Sequence, residues 1–566
     1  MNPETRICQN CKKDFVIESE DFSFYEKIDV PAPTWCVSCR NQRRLLFRNE
    51  RNFYKIKCGL CQKEVISVSV PDENNAVYCQ KCWWSDKWSA EDYAKDYDFS
   101  KPFFEQWYDL FLKVPHISLL NSNSVNSEWV NQETDDKNCY LNVGGHYNED
   151  SAYNTYEFYG KNCFDGYWTL NCDHCYENIH CERNYFCSFC EECQDCLNTH
   201  FSYDCRNCND VIGCAGLRNK KYCIFNKQYS KEEYENFIKE HPFSSNKSIS
   251  WWKNESKEVW LKHPRRQNMS FKIENSTGND ISEAKNSFNC FQGTKLENCK
   301  NMFVTGWAKD SHDCSSTGAI ELCYEFSSSG GAYNSKFILM CLSSDPFKKI
   351  TLNNLEYCAY SNSASNSFGC VGLYGGEYMI LNKKYTKKEY KELLPKIKQH
   401  MMDMPYVDKK GRVYKYGEFF PPEFSTFSYN ITSAMEEYSL TKEGAKELGF
   451  NWKEDVSDIN YEFSDYVIPN NIKDVKDDIL NKILKCEESG RGYKIIPMEL
   501  SYYRKMGLPI PRKSPFIRHR NRISKLLPKK IFIRNCDNCN KEIKTCYSPE
   551  SEEIVYCEQC YQKEVY

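Results

Sequence analysis

Cys58, Cys61, Cys79 and Cys82 recur as Cys536, Cys539, Cys557 and Cys560 after one shift of 478 residues. A chain with the same cysteine frame at both ends is committed to small metal-centred lobes there. Two C-x2-C knuckles separated by a short excursion set four thiolates on a tetrahedron, the arrangement of a closed structural Zn2+ site. The shift extends upstream, where Cys8 maps to Cys486, Tyr25 to Tyr503, Lys27 to Lys505, Pro31 and Pro33 to Pro509 and Pro511, and Arg40 and Arg44 to Arg518 and Arg522. Cys11, Cys36 and Cys39, however, map to Ser489, Ser514 and Ile517. One copy of the module is therefore expected to stand without metal.

Twelve of the 34 cysteines form six such pairs, grouped as Cys8, Cys11, Cys36 and Cys39, then Cys58, Cys61, Cys79 and Cys82, then Cys536, Cys539, Cys557 and Cys560. These sets predict about three structural Zn2+ ions per chain. Disulfides are the alternative, but thiols in a reducing compartment bind metal more often than they crosslink. The N-terminus, MNPETRICQN, lacks an apolar export core, and no run of about 18 apolar residues occurs. A cytoplasmic protein without a membrane partner is expected. A net charge of -4 removes any whole-chain argument for nucleic acid and leaves only local basic patches.

Between the ends the sequence is periodic. Cys139, Cys163 and Cys187 stand 24 residues apart and Val211 continues the series; Cys181 pairs with Cys205, and Cys190 with Cys214. The interval returns at Cys290 and Cys314, and at Cys299, Cys323, Phe347 and Val371. This predicts coils of a parallel β-solenoid, each cysteine over the one below, with Asn at the corners because its side chain bonds its own backbone and tolerates a left-handed conformation. The two periodic regions are duplicates offset by 156, as Gly213 to Leu217 match Gly369 to Leu373. Each ends with a capping-box start, Ser230 with Glu233 and Thr386 with Glu389, opening a helix suited to covering the stack's end.

The expected fold is mainly β, with tandem zinc ribbons at both ends flanking a duplicated parallel β-solenoid with helical caps. The divisions are ribbons at 1–50 and 51–98, a helical cap at 99–117, solenoid copies with cap helices at 118–245 and 287–400, and a linker at 246–286. A connecting region at 401–480, a degenerate metal-free ribbon at 481–534 and a third zinc ribbon at 535–566 complete the chain. Within the connecting region a short helix is expected from Thr441 to Gly449.

Function rests on less. Arg40, Arg43, Arg44, Arg48 and Arg51 follow the first module, and Arg518, Arg520, Arg522, Lys525, Lys529 and Lys530 follow its degenerate copy. Such runs fit phosphates of RNA or single-stranded DNA, with nearby aromatic rings stacking on bases; the alternative is pairing with the chain's own acids. Cys187, Cys190, Cys193 and Cys196, at steps of three, read either as stacked core or as ligands of a metal or iron–sulfur redox site. Asp165, Asp173, Asp195, Asp204 and Asp210, with His174, His180 and His200, carry no spacing that marks a catalytic pair. A non-enzymatic binding scaffold for nucleic acid or a ribonucleoprotein is expected, with a protein–protein scaffold and a redox protein as alternatives.

The first module, with C-x2-C-x3-F, then F-Y-x-K, P-x-P and C-x2-C-R-x2-R-R, resembles a zinc-ribbon family found in many bacterial proteins of undetermined role. The likeness covers residues 8–44. The whole layout, with WWSDKW after the second ribbon, N-K-x-Y-[ST]-K-x-E-Y closing each periodic copy and VYCEQCYQKEVY at the end, resembles uncharacterised multi-zinc-ribbon proteins of small-genome bacterial lineages. The resemblance implies zinc at the three full cysteine sets and no particular activity.

Overall fold

The computed structural model describes residues 2–69, 75–341, 351–454 and 463–565. Over these residues the chain is mainly sheet, with groups of four cysteines near both ends. Phe347 of the cysteine series lies outside the described residues.

Each end module starts as a hairpin: Glu4–Ile7 pairs with Asp14–Ile17, Tyr54–Lys57 with Glu64–Ser67, and Phe532–Asn535 with Glu542–Thr545. The chain reverses just after the knuckle, at Lys12, Gln62 and Asn540, with φ of 60, 61 and 59°. The second knuckle opens a helix, because Cys36 and Cys79 are the N-cap residues of Val37–Leu45 and Gln80–Trp83, and Cys557 precedes Glu558–Val565. The degenerate copy keeps all of this. Leu484–Lys485 pairs with Gly492–Tyr493, Gly490 takes φ of 70° where Lys12 takes 60°, and Ser514 caps Pro515–Ile523. Local backbone chemistry therefore specifies the module, and metal is not needed to explain its shape.

The centre is built from a parallel sheet of six strands and sheets of eleven and four strands that are parallel except for an antiparallel last pair in each. Partner residues stand 12 apart, as Thr155 with Tyr167, Val211 with Cys223 and Thr305 with Thr317. The 24-residue step expected from the cysteines is thus corrected to 12, and Cys139, Cys163 and Cys187 share one register position with Ser151 and Cys175 between them. Every third residue is left-handed, for example Asn162, Asp165, Trp168, Asn171 and His174, with φ between 51 and 57°. That conformation costs a non-glycine residue about 1–2 kcal/mol. Part of the cost is offset where Asn and Asp stack across steps, as in Asn286 donating to Asn298 (3.3 Å) and Asn298 to Asp310 (2.9 Å). Away from the ends of the sheets the residue after a left-handed one is turned from solvent, and Cys163, Cys172, Cys187, Cys190, Cys193 and Cys205 are all buried there.

One step differs. Ala332 pairs with Leu352 and Leu339 with Ala359, 20 residues on instead of 12. Eight extra residues in that step explain why matching positions stand 156 apart after it, as Gly213 and Gly369 do, but 148 apart before it, as Asp165 and Asp313 do.

Both capping boxes form as expected, at Ser230 with Glu233 and at Thr386 with Glu389. The short helix Lys442–Glu447, N-capped by Thr441 and followed by Gly449 at φ of 76°, also agrees. The stretch 246–286, read as a linker, is corrected. It contains the helix Asn246–Lys262 and the strand Gly278–Lys285, which joins the eleven-stranded sheet. Its polar composition reflects a helix that buries only Ile249, Trp252 and Ser256. In the connecting region, Phe420 stacks at 4.0 Å on Trp107 of the helix Phe103–Lys113, so aromatic packing ties this segment to the stack.

Gly369 (φ 67°) marks where that helix touches the stack, since a Cβ there would meet the Phe103 ring at 2.8 Å. Gly369→Val is expected to cost roughly 2–4 kcal/mol in urea unfolding, from left-handed strain plus overpacking. Gly375→Ala, at φ of 77° with nothing within 4 Å, should cost less because only the strain remains.

Candidate metal centres

Among the described residues the three expected cysteine quartets each converge, with all four Sγ atoms within 4.8 Å of one another. Cys11 and Cys36 stand 3.8 Å apart, Cys61 and Cys79 3.9 Å, and Cys539 and Cys557 3.7 Å. Zn–S bonds of about 2.3 Å place the sulfurs of a tetrahedron roughly 3.8 Å apart, so the spacing fits such an ion. Backbone N–H groups point at the sulfurs: Cys36 donates to Cys8 (3.3 Å), Cys79 to Cys58 (3.3 Å) and Cys557 to Cys536 (3.1 Å). Burial opposes ionisation at Cys58 and Cys536, yet the surrounding N–H groups bring both thiols down to about 6. These are ligand sets ready to hold a thiophilic cation.

The fourth module keeps only Cys486, which still accepts the N–H of Ser514 at 3.3 Å, as Cys8 accepts that of Cys36. Burial opposes ionisation there too, and the Ser489 hydroxyl with nearby N–H groups holds this thiol at about 7.

The arginines expected to meet phosphates lie elsewhere. Arg40 grips both oxygens of Asp313 at 2.9 and 2.8 Å, and Arg43 bridges Glu325 (3.0 Å) and Glu418 (2.9 Å). Arg44 meets Glu325 at 2.6 Å, and Arg48 pairs with Glu50. Arg40, Arg43, Arg44 and Arg48 are buried, while Arg51 pairs with Glu436 at 3.1 Å. Assigning these five residues to a phosphate-binding surface is therefore corrected. Asp313 and Glu325, some 270–285 residues away, take up the charge of Arg40 and Arg44 and part of that of Arg43.

The degenerate module docks in the same way on the first sheet. Arg518 meets Asp165 (3.0 Å) and Glu499 (3.1 Å), and Arg522 meets Asp165 (2.6 Å). Tyr25 lies edge-on to Tyr324 at 5.5 Å, and its counterpart Tyr503 lies edge-on to Tyr176 at 5.7 Å. Phe24 stacks on His312 (3.6 Å) as Tyr502 stacks on Phe164 (4.2 Å). The Arg40–Asp313 and Arg518–Asp165 pairs and both aromatic pairs are related by 478 residues on the module side and 148 on the sheet side, whereas Arg522 shares Asp165 where Arg44 takes Glu325. Asp165, noted in the sequence only as one of several acids, is an anchor of this contact.

The central thiols are arranged differently. Cys163 donates to the carbonyls of Lys161 and Cys172, each at 3.3 Å, and Cys196 to those of Gln194 and Cys205, each at 3.3 Å. Cys187, Cys190, Cys193 and Cys196 are not among the groups of converging ligands. The fourth such group is His180, Glu192 and Asp280, which the sequence reading did not bring together. Its only sequence signal is the 12-residue step from His180 to Glu192.

No family model matches the chain, and no curated protein matches it. A solved structure described as a putative acetyltransferase from Desulfovibrio desulfuricans G20 aligns at 10% identity over 52% of this chain and 86% of that one. Its TM-score of 0.11 carries no argument.

Asp165→Asn removes the charge facing both Arg518 and Arg522 and is expected to cost about 3–5 kcal/mol in denaturant unfolding, the penalty of an uncompensated buried cation. A second expectation concerns thiol chemistry. A thiol reagent should label few cysteines of the metal-loaded native protein, about twelve after a strong chelator, and the remaining 22 of the 34 only in denaturant. Uniform labelling of all thiols after chelation alone would contradict the division between ligand and core cysteines.

Proposed function

We propose that this protein is a zinc-organised, non-catalytic binding scaffold. In this reading the parallel sheets close as two β-solenoid stacks of 12-residue coils with four three-residue sides, held by three zinc ribbons and one metal-free ribbon. Closure is supported by four ladders within one step: Lys137 with Glu149, Tyr140 with Ala152, Val143 with Thr155, and His146 with Phe158. The observation that carries the functional reading is the geometry of the cysteine quartets. Four converging thiolates suit Zn2+ and leave no coordination position for a reacting water, so the ion's contribution is to fix small lobes that have little core of their own.

Binding is the remaining task for such a surface, and a protein partner is favoured over nucleic acid. Arg40, Arg43, Arg44, Arg518 and Arg522, the centre of the two basic runs that supported the nucleic-acid reading, are spent on internal carboxylates. Exposed aromatic rings remain, such as Tyr147 and Tyr159, stacked at 5.2 Å and about half exposed. Thirty-four free cysteines favour a reducing compartment.

Metal analysis of the purified chain should find about three zinc and no iron. The triple variant Ser489→Cys, Ser514→Cys, Ile517→Cys should raise the count to four, because the degenerate module retains the hairpin turn and helix start of the metal-bearing ones. A count that stays unchanged in a folded triple variant would show that the module has lost ribbon geometry. Salt-sensitive binding of single-stranded RNA by the wild-type chain would reverse the choice of partner.

A further inference from the structure

From the cluster at His180 we infer a fourth cation site, a His/Glu/Asp centre for a divalent first-row ion that ties the two parallel sheets together. His180 and Glu192 stand one 12-residue step apart on the first side, and Asp280 and Gln292 one step apart on the second. All four occupy left-handed positions, with φ of 50, 57, 53 and 54°, so the same backbone device aims them across the boundary. Nδ1 of His180 lies 2.8 Å from Glu192 Oε1 and 3.7 Å from Asp280 Oδ2, and the three ligand atoms are all within 4.8 Å of one another. An ion with bonds of about 2.0–2.1 Å holds tetrahedral neighbours roughly 3.3 Å apart, between the two observed spacings.

Two further features point the same way. The side chains of His180, Glu192 and Asp280 are only 11, 18 and 20% exposed, yet among the described residues neither carboxylate meets a lysine or arginine within ion-pair distance. The carboxylates of Asp165, Asp313, Glu325 and Glu418 each meet an arginine. The groups are also held in place: Asn279 donates at 3.0 Å to Asp280 Oδ2, the oxygen that faces His180, and the Gln292 amide lies 3.1 Å from His180 Nε2 with Tyr167 behind it. With Nδ1 on an ion, Nε2 carries the proton, and a half-turn of the Gln292 amide offers its carbonyl as acceptor, the usual support for a ligating histidine. One nitrogen and two carboxylate oxygens select a borderline-to-hard ion such as Zn2+ or Mn2+, in contrast to the all-thiolate quartets.

The test uses the full chain with its quartets loaded with zinc, titrated with Mn2+ and followed by the loss of the free-ion electron paramagnetic resonance signal. One Mn2+ per chain is expected, with binding lost in His180→Ala and Asp280→Asn and weakened about 10–100-fold in Gln292→Ala. Mn2+ should raise the melting temperature of the wild type but not of Asp280→Asn. The zinc count of each variant reports whether it has folded, and the conservative Glu192→Gln provides a second ligand variant should His180→Ala fail to fold. Absence of Mn2+ binding with three zinc present, or equal binding in wild type and every folded variant, would overturn the site without touching the scaffold reading. Fewer than three zinc per folded chain would fault the scaffold reading alone, whereas a fourth zinc that is absent in Asp280→Asn would be this site filled by zinc.

Discussion

The contact on which the rest of the structure depends is the insertion of buried arginines into carboxylates of a distant sheet. Arg40, Arg43 and Arg44 leave one helix, Val37–Leu45, and converge on Asp313, Glu325 and Glu418 with side-chain exposures of 6% or less. Desolvating so many charges is expensive, and attraction repays it only when geometry is fixed on both sides. On one side the cysteine knuckle fixes the helix start, since Cys36 is its N-cap and Cys39 lies in its first turn. On the other, Asp313 and Glu325 occupy left-handed positions exactly one 12-residue step apart in register. The arginines therefore connect two independently rigid parts.

The arrangement occurs twice and crosses over. The N-terminal module docks on the second periodic region, and the module that follows residue 481 docks on the first. This duplication lets the loss of three ligands be understood. In the first module Asp21, at the start of the helix Ser19–Lys27, pairs outward with Lys300. Its counterpart Glu499 is longer by one methylene and fully buried; it accepts from Tyr153 (2.9 Å) and Tyr503 (2.8 Å) and meets Arg518 (3.1 Å). Arg518 also lies over the Tyr153 ring at 4.9 Å. A carboxylate-centred network thus fastens the degenerate module where a cation would fasten the others, and Ile517 fills the space of Cys39 as core.

The cysteine quartets were legible because their ligands are close in sequence and their turn chemistry is local. The parallel direction and the Asn corners were legible for the same reason. The step length was misread because Ser151 and Thr199 interrupt the cysteine series of that position, which hid the 12-residue interval that Cys163, Cys175 and Cys187 carry. The three-residue spacing of Cys187, Cys190, Cys193 and Cys196 held the correct answer, being the interval between left-handed residues, but it also matches the spacing of metal knuckles. The fate of the arginines was not legible at all. A local run of positive charge looks the same whether its partners are phosphates in solution or acids 270 residues further along the chain.

Cysteine serves two purposes here, and backbone polarity sorts them. In the end modules the turn and the helix start direct N–H groups at sulfur, which favours thiolate and hence metal. Along the first sheet Cys163, Cys181, Cys190 and Cys196 instead face carbonyl oxygens at 3.1 to 3.5 Å, two and nine residues away, and act as S–H donors. Burial pushes thiols such as Cys187 and Cys214 well above their usual range, so the neutral form fits there, while hydrogen bonds from neighbouring thiols hold Cys172 and Cys208 below it. A small side chain suits this interior because it packs as a hydrophobe and adds an S–H bond to carbonyls that already accept a backbone N–H, as Lys161 does from His174 at 2.9 Å. Serine meets the same need at Ser151 and Ser202, donating to the carbonyls of Glu149 and His200. Cysteine in the centre thus fills a tightly packed interior beside carbonyl oxygens, and at the ends it gathers N–H groups that favour the thiolate.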